Sequence, residues 1–295
     1  MPEIPDLAIY LERLDAMVVG KPLVRLRILN PFVLRSVSPP VSEIEGSTVT
    51  GTRRVGKRIV LAFEGERFVV IHLMIAGRLR WRPPGKTVPG KLALAGFEFT
   101  DGTLFLTEAG SKRRASMHVV HGEAALAQFD RGGIEPMTAS LQDTAARLRS
   151  ENHTLKRALT DPRLFSGIGN AYSDEILHAA RLSPMLLTSR ITDEQIATLY
   201  DAMRATLQRW IDHLRAETGS KFPDQVTAFH EDMAAHGRFG KPCPVCGAPI
   251  QRIRYADNET NYCARCQTGG RLLADRAMSR LLKDDWPRSL DELDA

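Results

Sequence analysis

The chain holds four cysteines, and all of them lie in one short stretch, KPCPVCGAPIQRIRYADNETNYCARCQ, as Cys243-x2-Cys246, sixteen intervening residues, and Cys263-x2-Cys266. Two CxxC pairs at this separation can offer four thiolates to one tetrahedral zinc ion, each pair forming a tight knuckle and the residues between them a β-hairpin. With every position taken by protein sulfur, such an ion is structural and has no open position for a substrate. The chemistry must therefore lie elsewhere, and the start of the chain, MPEIPDL, is one place for it. Inside a chain a proline nitrogen is an amide and does not attack anything. Removal of Met1 would turn Pro2 into a secondary amine, a nucleophile, with the Glu3 carboxylate beside it as an acid or base.

Elements must position these groups. From Pro5 the spacing of Leu7, Tyr10, Leu11, Leu14, Met17 and Val18 predicts a helix, with Pro5 tolerated in its first turn and Glu3 just before its start. Val24, Leu26 and Ile28 alternate with arginines. IVLAF (59–63) and FVVIHLM (68–74) flank a turn, and LALAGFEF (92–99) and TLFLT (103–107) meet at Asp101-Gly102, a short hairpin signal. The first ~120 residues thus predict a leading helix and a β-sandwich. RPPGKTVPG (82–90) reads as a loop. The texture then turns helical, with one helix over 141–159, another over 170–182, and a long apolar stripe from Ile196 to Leu214 that begins at a capping box, Thr192 with Gln195.

Composition excludes several classes. At 295 residues, with 43% hydrophobic and 25% charged residues, the chain is long for one core and is not disordered. No run of about 18 apolar residues is present, and the N-terminus has no basic-then-apolar leader, so a cytoplasmic protein without a membrane segment is expected. Clustering of the cysteines excludes a chain-wide disulfide framework. Forty Lys and Arg against 35 Asp and Glu give a net charge of +5, which permits binding to nucleic acid without requiring it.

Taken in order, Pro2-Glu3 with Pro5, Gly56-Lys57, His72-Leu73 with Gly77-Arg78-Leu79, SGIGNAYSDEIL (166–177), and GRFGKPCPVCGAPI (237–250) through Tyr262-Cys263-Ala264-Arg265-Cys266-Gln267 resemble the formamidopyrimidine-DNA glycosylase / endonuclease VIII family over residues 2 to about 270. The resemblance implies a multidomain α+β protein: an N-terminal β-sandwich with a leading helix, a helix-two-turn-helix domain and a zinc β-hairpin. The corresponding expected boundaries are 1–125, 126–225 and 226–270, with a helical extension over 271–295 packed on the zinc domain. It also implies base-excision repair of double-stranded DNA carrying oxidised bases or abasic sites, by a monomer with one structural zinc. In that chemistry Pro2 attacks C1′, Glu3 moves protons, and Lys57 assists β/δ-elimination. A free α-amino group is roughly 300-fold more often unprotonated at neutral pH than a lysine, so a terminal Pro2 suits attack. Implied DNA contacts are His72, Asn170, which also suits capping of the next helix, and Glu175, near the sugar. Because an everted nucleotide leaves a gap, a wedge is implied too, with Met74 or Ile75 and Lys112, Arg113 or Arg114 as candidates.

The chain departs from the family in three places. HLMIAG stands for HLGMSG over 72–77, EAGSKRRASMH (108–118) stands for a motif ending Arg-Arg-Phe-Gly, and Asn258 occupies the position of a phosphate-gripping arginine, with Arg252, Arg254 and Arg265 nearby. Asp6 stands for the usual Glu. MPEIP leans towards oxidised purines, while the loop within 218–236 is not readable. Two other classes compete: a DNA-binding relative without efficient catalysis, which the departures suggest and Pro2, Glu3 and Lys57 oppose, and a terminal-proline isomerase, which leaves the cysteines unexplained.

Overall fold

The computed structural model describes the chain except residues 111, 225, 228, 256–257, 284–286 and 293–295. In chain order its main elements are α1 (Ile4–Val18), β1 (Arg25–Ile28), β2 (Val49–Val55), β3 (Arg58–Phe63), β4 (Arg67–His72), β5 (Gly77–Arg82), β6 (Ala93–Phe99), β7 (Gly102–Glu108), β8 (Ser116–His121), α2 (Glu123–Ala127), α3 (Leu141–Arg149), α4 (Leu155–Thr160), α5 (Asn170–Ala179), α6 (Asp193–Thr218), β9 (Ile250–Tyr255), β10 (Asn258–Cys263), α7 (Ala264–Thr268) and α8 (Arg276–Leu282). They form two compact units, residues 1–131 with 210–228, and residues 132–209 with 229–295. The helical segment from 132 and the cysteine segment therefore share one unit. No helix among the described residues is long and apolar enough to cross a membrane.

In the first unit two antiparallel sheets, in the orders β1-β6-β7-β5 and β2-β3-β4-β8, share one core with α1. Leu7, Tyr10, Leu14 and Val18 lie on the buried stripe of the helix, as the 3–4 spacing requires, and pack among Leu61, Val69, Phe97 and Leu106. Truncating a fully buried leucine such as Leu14 to alanine costs about 2–5 kcal/mol. The Leu79 amide donates to the Tyr10 hydroxyl at 3.4 Å, tying helix to β5. The apolar runs on β3 and β4 are continuous, not alternating, because both faces are covered. Ile59 and Ile71 face the sandwich, while Val60, Phe68 and Val70 form a second cluster with Leu126 of α2. Phe222 packs on Tyr10, and Asp224 takes a 2.6 Å ion pair from Arg82, so residues beyond α6 complete this core.

In the second unit the single helix expected over 141–159 is two. Ser150 ends α3, the His153 amide turns to the Thr188 hydroxyl, and Thr154 caps α4 by accepting from Arg157 N–H at 3.3 Å. α5 stops at Ala179, short of the expected Leu182. The capping box at Thr192 and Gln195 forms in both directions, at 3.1 and 3.2 Å. β9 and β10 make the hairpin between the cysteine pairs, and Leu272, Leu273 and Leu290 pack against it together with Ile250, Ile253 and Tyr262.

Candidate functional site

In the first unit the chain start is sunk into the protein. Pro2 is buried, and Glu3, the residue before α1, is only 3% exposed. Asp6, one turn in and equally buried, accepts the Glu3 amide at 2.8 Å. This is a capping-box contact with aspartate in place of glutamate. Burial pushes the Asp6 carboxyl up to about 7, and the neighbouring Glu3 carboxylate adds to the effect. The terminal ammonium is lowered by burial and by the charges of Arg78 and Lys57, while Glu3 and Asp6 oppose this. Residues 3, 6, 57 and 78 thus act electrostatically on one point, the start of the chain. Asp6 and Arg78 are the members that reading for function missed. Their signals were the acidic N3 position and the Arg of Gly77-Arg78-Leu79.

Lys57 occupies the two-residue turn between β2 and β3, where Gly56 takes a positive φ of 60° that a side chain would resist. His72 ends β4 opposite Arg58 on one side and Ser116 on the other. Burial, then the charges of Arg58 and Lys57, hold its imidazole down to about 4, so it is neutral at pH 7. The next turn carries the chain from one sheet to the other. Gly77 is required in it because a Cβ there would lie 2.2 Å from the Leu73 carbonyl oxygen. Met74 takes a positive φ of 53° and is half-buried, whereas Ile75 at the tip is 66% exposed. The 109–115 loop is held from below by Glu108. This buried carboxylate accepts the Arg114 amide at 2.9 Å and the Ala115 amide at 3.0 Å, leaving the Lys112, Arg113 and Arg114 side chains outside. The Arg113 guanidinium donates to the Lys91 carbonyl.

In the second unit Gly169, not Asn170, takes the N-cap of α5, because the Gly167-Ile168-Gly169 turn delivers an extended glycine there. Asn170 is the first helical residue, and its amide donates to the Glu259 carbonyl of β10 at 2.9 Å. Glu175 is buried and accepts three amides, those of Ala234, Ala235 and His236, at 2.9, 2.8 and 3.0 Å. Asp174 beside it pairs with Lys156 at 2.5 Å and with the His236 ring at 2.8 Å. Two consecutive acids of one helix therefore clamp the 234–236 segment. Asn258 opens β10 with its side chain exposed.

The four cysteine sulfurs lie within 4.8 Å of one another. Cys243 and Cys266 are 4.0 Å apart, Cys246 and Cys263 3.4 Å. Zn–S bonds of about 2.3 Å in a tetrahedron place sulfurs about 3.8 Å apart, so the cage fits the ion. The Cys266 amide points at Cys263 Sγ at 3.4 Å, and the His178 ring of α5 sits 3.2 Å from Cys243 Sγ, placed to donate an N–H to it.

Three family models match the chain: the formamidopyrimidine-DNA glycosylase N-terminal domain over residues 1–116, the H2TH domain of the same glycosylase over 133–221, and the zinc finger found in FPG and IleRS over 240–269. A formamidopyrimidine-DNA glycosylase of Solibacter usitatus is 31% identical over 275 residues, covering 90% of this chain and 99% of the relative, and one of Symbiobacterium thermophilum is 30% identical over 276 residues, covering 90% and 89%. An uncharacterized formamidopyrimidine-DNA glycosylase-like protein of Mycobacterium tuberculosis is 39% identical over 151 residues, 51% of this chain and 94% of that one. Among solved structures, Lactococcus lactis Fpg in complex with abasic-site DNA superposes with a TM-score of 0.80 at 23% identity, covering 90% of this chain and 99% of that one, which speaks for the fold. The cysteine cage is the zinc finger of that fold and holds one structural zinc ion. With an N-terminal sandwich, a helical H2TH segment and a zinc hairpin all matched in order, the chain belongs to the formamidopyrimidine-DNA glycosylase family.

Proposed function

We propose that this protein is a DNA-repair glycosylase with abasic-site lyase activity, acting as a monomer on duplex DNA that carries ring-opened or otherwise oxidised purines. The observation that carries the reading is the chain start, where Pro2 and Glu3 are buried together and Lys57 and Arg78 act on the same point. Relatives across 90% of the chain are named formamidopyrimidine-DNA glycosylase, and the similar Lactococcus lactis structures hold abasic-site or N7-benzyl-Fapy-dG DNA.

In this reading Met1 is removed and the Pro2 amine attacks C1′ of an everted nucleotide. The C–N bond forms as the glycosidic bond breaks, the base leaves with a proton, and Glu3 protonates the sugar ring oxygen so that the ring opens. The product is an iminium ion of a secondary amine. It carries its positive charge at every pH and draws electrons from the sugar, which lets the flanking phosphates leave by β- and δ-elimination. Lys57 assists those steps, and neutral His72 donates an N–H to a phosphate oxygen. Ile75, the exposed tip, fills the gap in the duplex, supported by Met74. Lys112, Arg113 and Arg114 grip the other strand. In the second unit Asn170 contacts the backbone, Glu175 holds residues 234–236 in place, and Asn258 contributes at most a neutral contact. Zinc holds the hairpin and takes no part in the steps.

The test is incubation with a duplex carrying one formamidopyrimidine lesion. The protein should release the base and cut the strand, and Glu3→Gln should stop base release while keeping some cleavage of preformed abasic DNA. Binding without base release by the wild type would place it instead as a damage-binding relative.

A further inference from the structure

Residues past 269 lie outside the matched zinc-finger model, yet the chain does not leave the hairpin there. Gly269 and Gly270, with positive φ values of 63° and 91° that side-chain-bearing residues resist, end α7 and turn the chain back. Residues 270–272 then run antiparallel to 288–290. The Leu272 amide donates to the Arg288 carbonyl at 2.9 Å, the Leu290 amide donates to the Gly270 carbonyl at 3.0 Å, and Arg271 lies opposite Ser289.

This pair is fastened to the hairpin in three ways. Leu272, Leu273 and Leu290, all buried, pack in one cluster with Ile250, Ile253 and Tyr262 and with two of the zinc ligands, Cys243 and Cys263. The hydroxyl of Tyr262, the residue before Cys263, accepts the Leu273 amide at 2.7 Å. Nearer the hairpin turn, the buried Asp275 carboxylate accepts the Arg254 amide of β9 at 2.9 Å.

We propose that residues 270–275 and 288–290 form a strap that retains the zinc ion, holding the cysteine knuckles closed so that the ion leaves only when the strap opens. The assignment does not depend on the DNA-repair reading. A four-thiolate site gives up its ion stepwise, as each Zn–S bond is exchanged for a bond to a competing ligand and the freed thiolate takes up a proton. Cys246 and Cys266 are half-buried, so exchange can begin at them from solvent. Cys243 and Cys263 are buried in the leucine cluster, and a competitor reaches their bonds only through local opening of that cluster. Every strap contact that must break first slows this last exchange. The strap adds to the ion and does not replace it, since most of its contacts are to residues that the closed cage itself positions.

The experiment is zinc release from the full-length, zinc-loaded protein to an excess of the chromophoric chelator pyridylazoresorcinol, followed as a rate. Leu290→Ala should speed release by about thirtyfold, as expected for a buried leucine truncated to a cavity. Leu290→Met, which refills the space, should return the rate to within a few-fold of the wild type. Tyr262→Phe keeps the ring and removes only the acceptor, and it and Asp275→Ala should each speed release about fivefold, the loss of one hydrogen bond. Leu281→Ala, at a side chain 74% exposed, should leave the rate unchanged. One equivalent of zinc and a wild-type circular dichroism spectrum qualify each variant at the start. If Leu290→Ala is not obtained loaded, Tyr262→Phe and Asp275→Ala carry the same readout. Wild-type release rates in the zinc-loaded strap variants, or equal acceleration in Leu281→Ala, would overturn the assignment. Because no DNA enters the measurement, its failure leaves the repair reading untouched.

Discussion

The zinc hairpin and the buried chain start both crowd ionisable groups together, and they resolve the crowding in opposite ways. The cage between residues 243 and 266 puts four sulfurs within 4.8 Å, a separation that one divalent ion satisfies, and the His178 N–H adds a second layer. At the chain start no ion is called for. Glu3 and Asp6 share a site from which water is excluded, and a proton does the neutralising: Asp6 is pushed up to about 7. At the end of β4 the same burial beside Arg58 and Lys57 works in the other direction, holding His72 down to about 4. Metal neutralisation gives a closed, inert framework. Proton neutralisation leaves Asp6 poised near working pH, which suits chemistry.

The largest expected effect lies on the metal side. Apparent binding energies of structural zinc run to about 10–16 kcal/mol, and they are folding energy for the element that holds the ion. Cys246→Ser should lose the ion and unfold the hairpin, abolishing duplex binding while the N-terminal sandwich stays folded. Zinc analysis, duplex binding and circular dichroism on one sample would show this, and full DNA affinity in thoroughly chelated protein would contradict it.

Asp6 should give the next effect. Its carboxyl is easier to protonate in the folded chain than in the unfolded one, so its contribution is fully favourable below about pH 3.8 and is lost as pH rises through about 7. Asp6→Asn keeps an oxygen for the Glu3 amide without the buried charge. It should change stability little near pH 4 and raise it by roughly 2–4 kcal/mol at pH 8, as read by urea unfolding at the two pH values. Equal stabilisation at both would show that the effect is not electrostatic.

The smallest effect is expected at His72, where the direction reverses. The imidazole is harder to protonate in the folded state, so its contribution is complete above about pH 6.5 and declines as pH falls towards 4. After allowance for solvent screening, His72→Asn should remove about 1 kcal/mol of the acid sensitivity between those values. Imidazole titration by NMR gives the direct check, with a midpoint near 4 expected, and near 6.5 if the site is not as drawn.

The same contrast governs what the sequence makes legible. The cage is local, so its spacing alone names the ligands and the hairpin. The chain start draws on residues 3, 6, 57 and 78, which only the closed sandwich brings to one point, and no local pattern joins them. Strands with unbroken or alternating apolar runs, such as β3, β4, β6 and β7, are readable. β2 (VTGTRRV), β5 (GRLRWR) and β8 (SMHVVH) are not, because glycine, arginine and histidine dilute their periodicity. Over 141–159 the apolar rhythm persists through Ser-Glu-Asn-His, and only the capping residues Ser150 and Thr154 mark the break. Glu108 passes as one residue of a basic loop and Glu175 as an acid near the sugar, and neither clamp is legible because the amides held lie 6 to 61 residues further on.

In the function proposed above, reactivity resides at the chain start and not in the cage or at a lysine. Sodium borohydride reduction during incubation with abasic-site duplex tests it directly. A covalent protein–DNA adduct is expected, one per chain, whose attachment maps by peptide mass to a Met1-processed N-terminus at Pro2, and which persists in Lys57→Ala at a reduced rate. An adduct mapping to Lys57, or no adduct with either abasic or oxidised-base DNA, would contradict it.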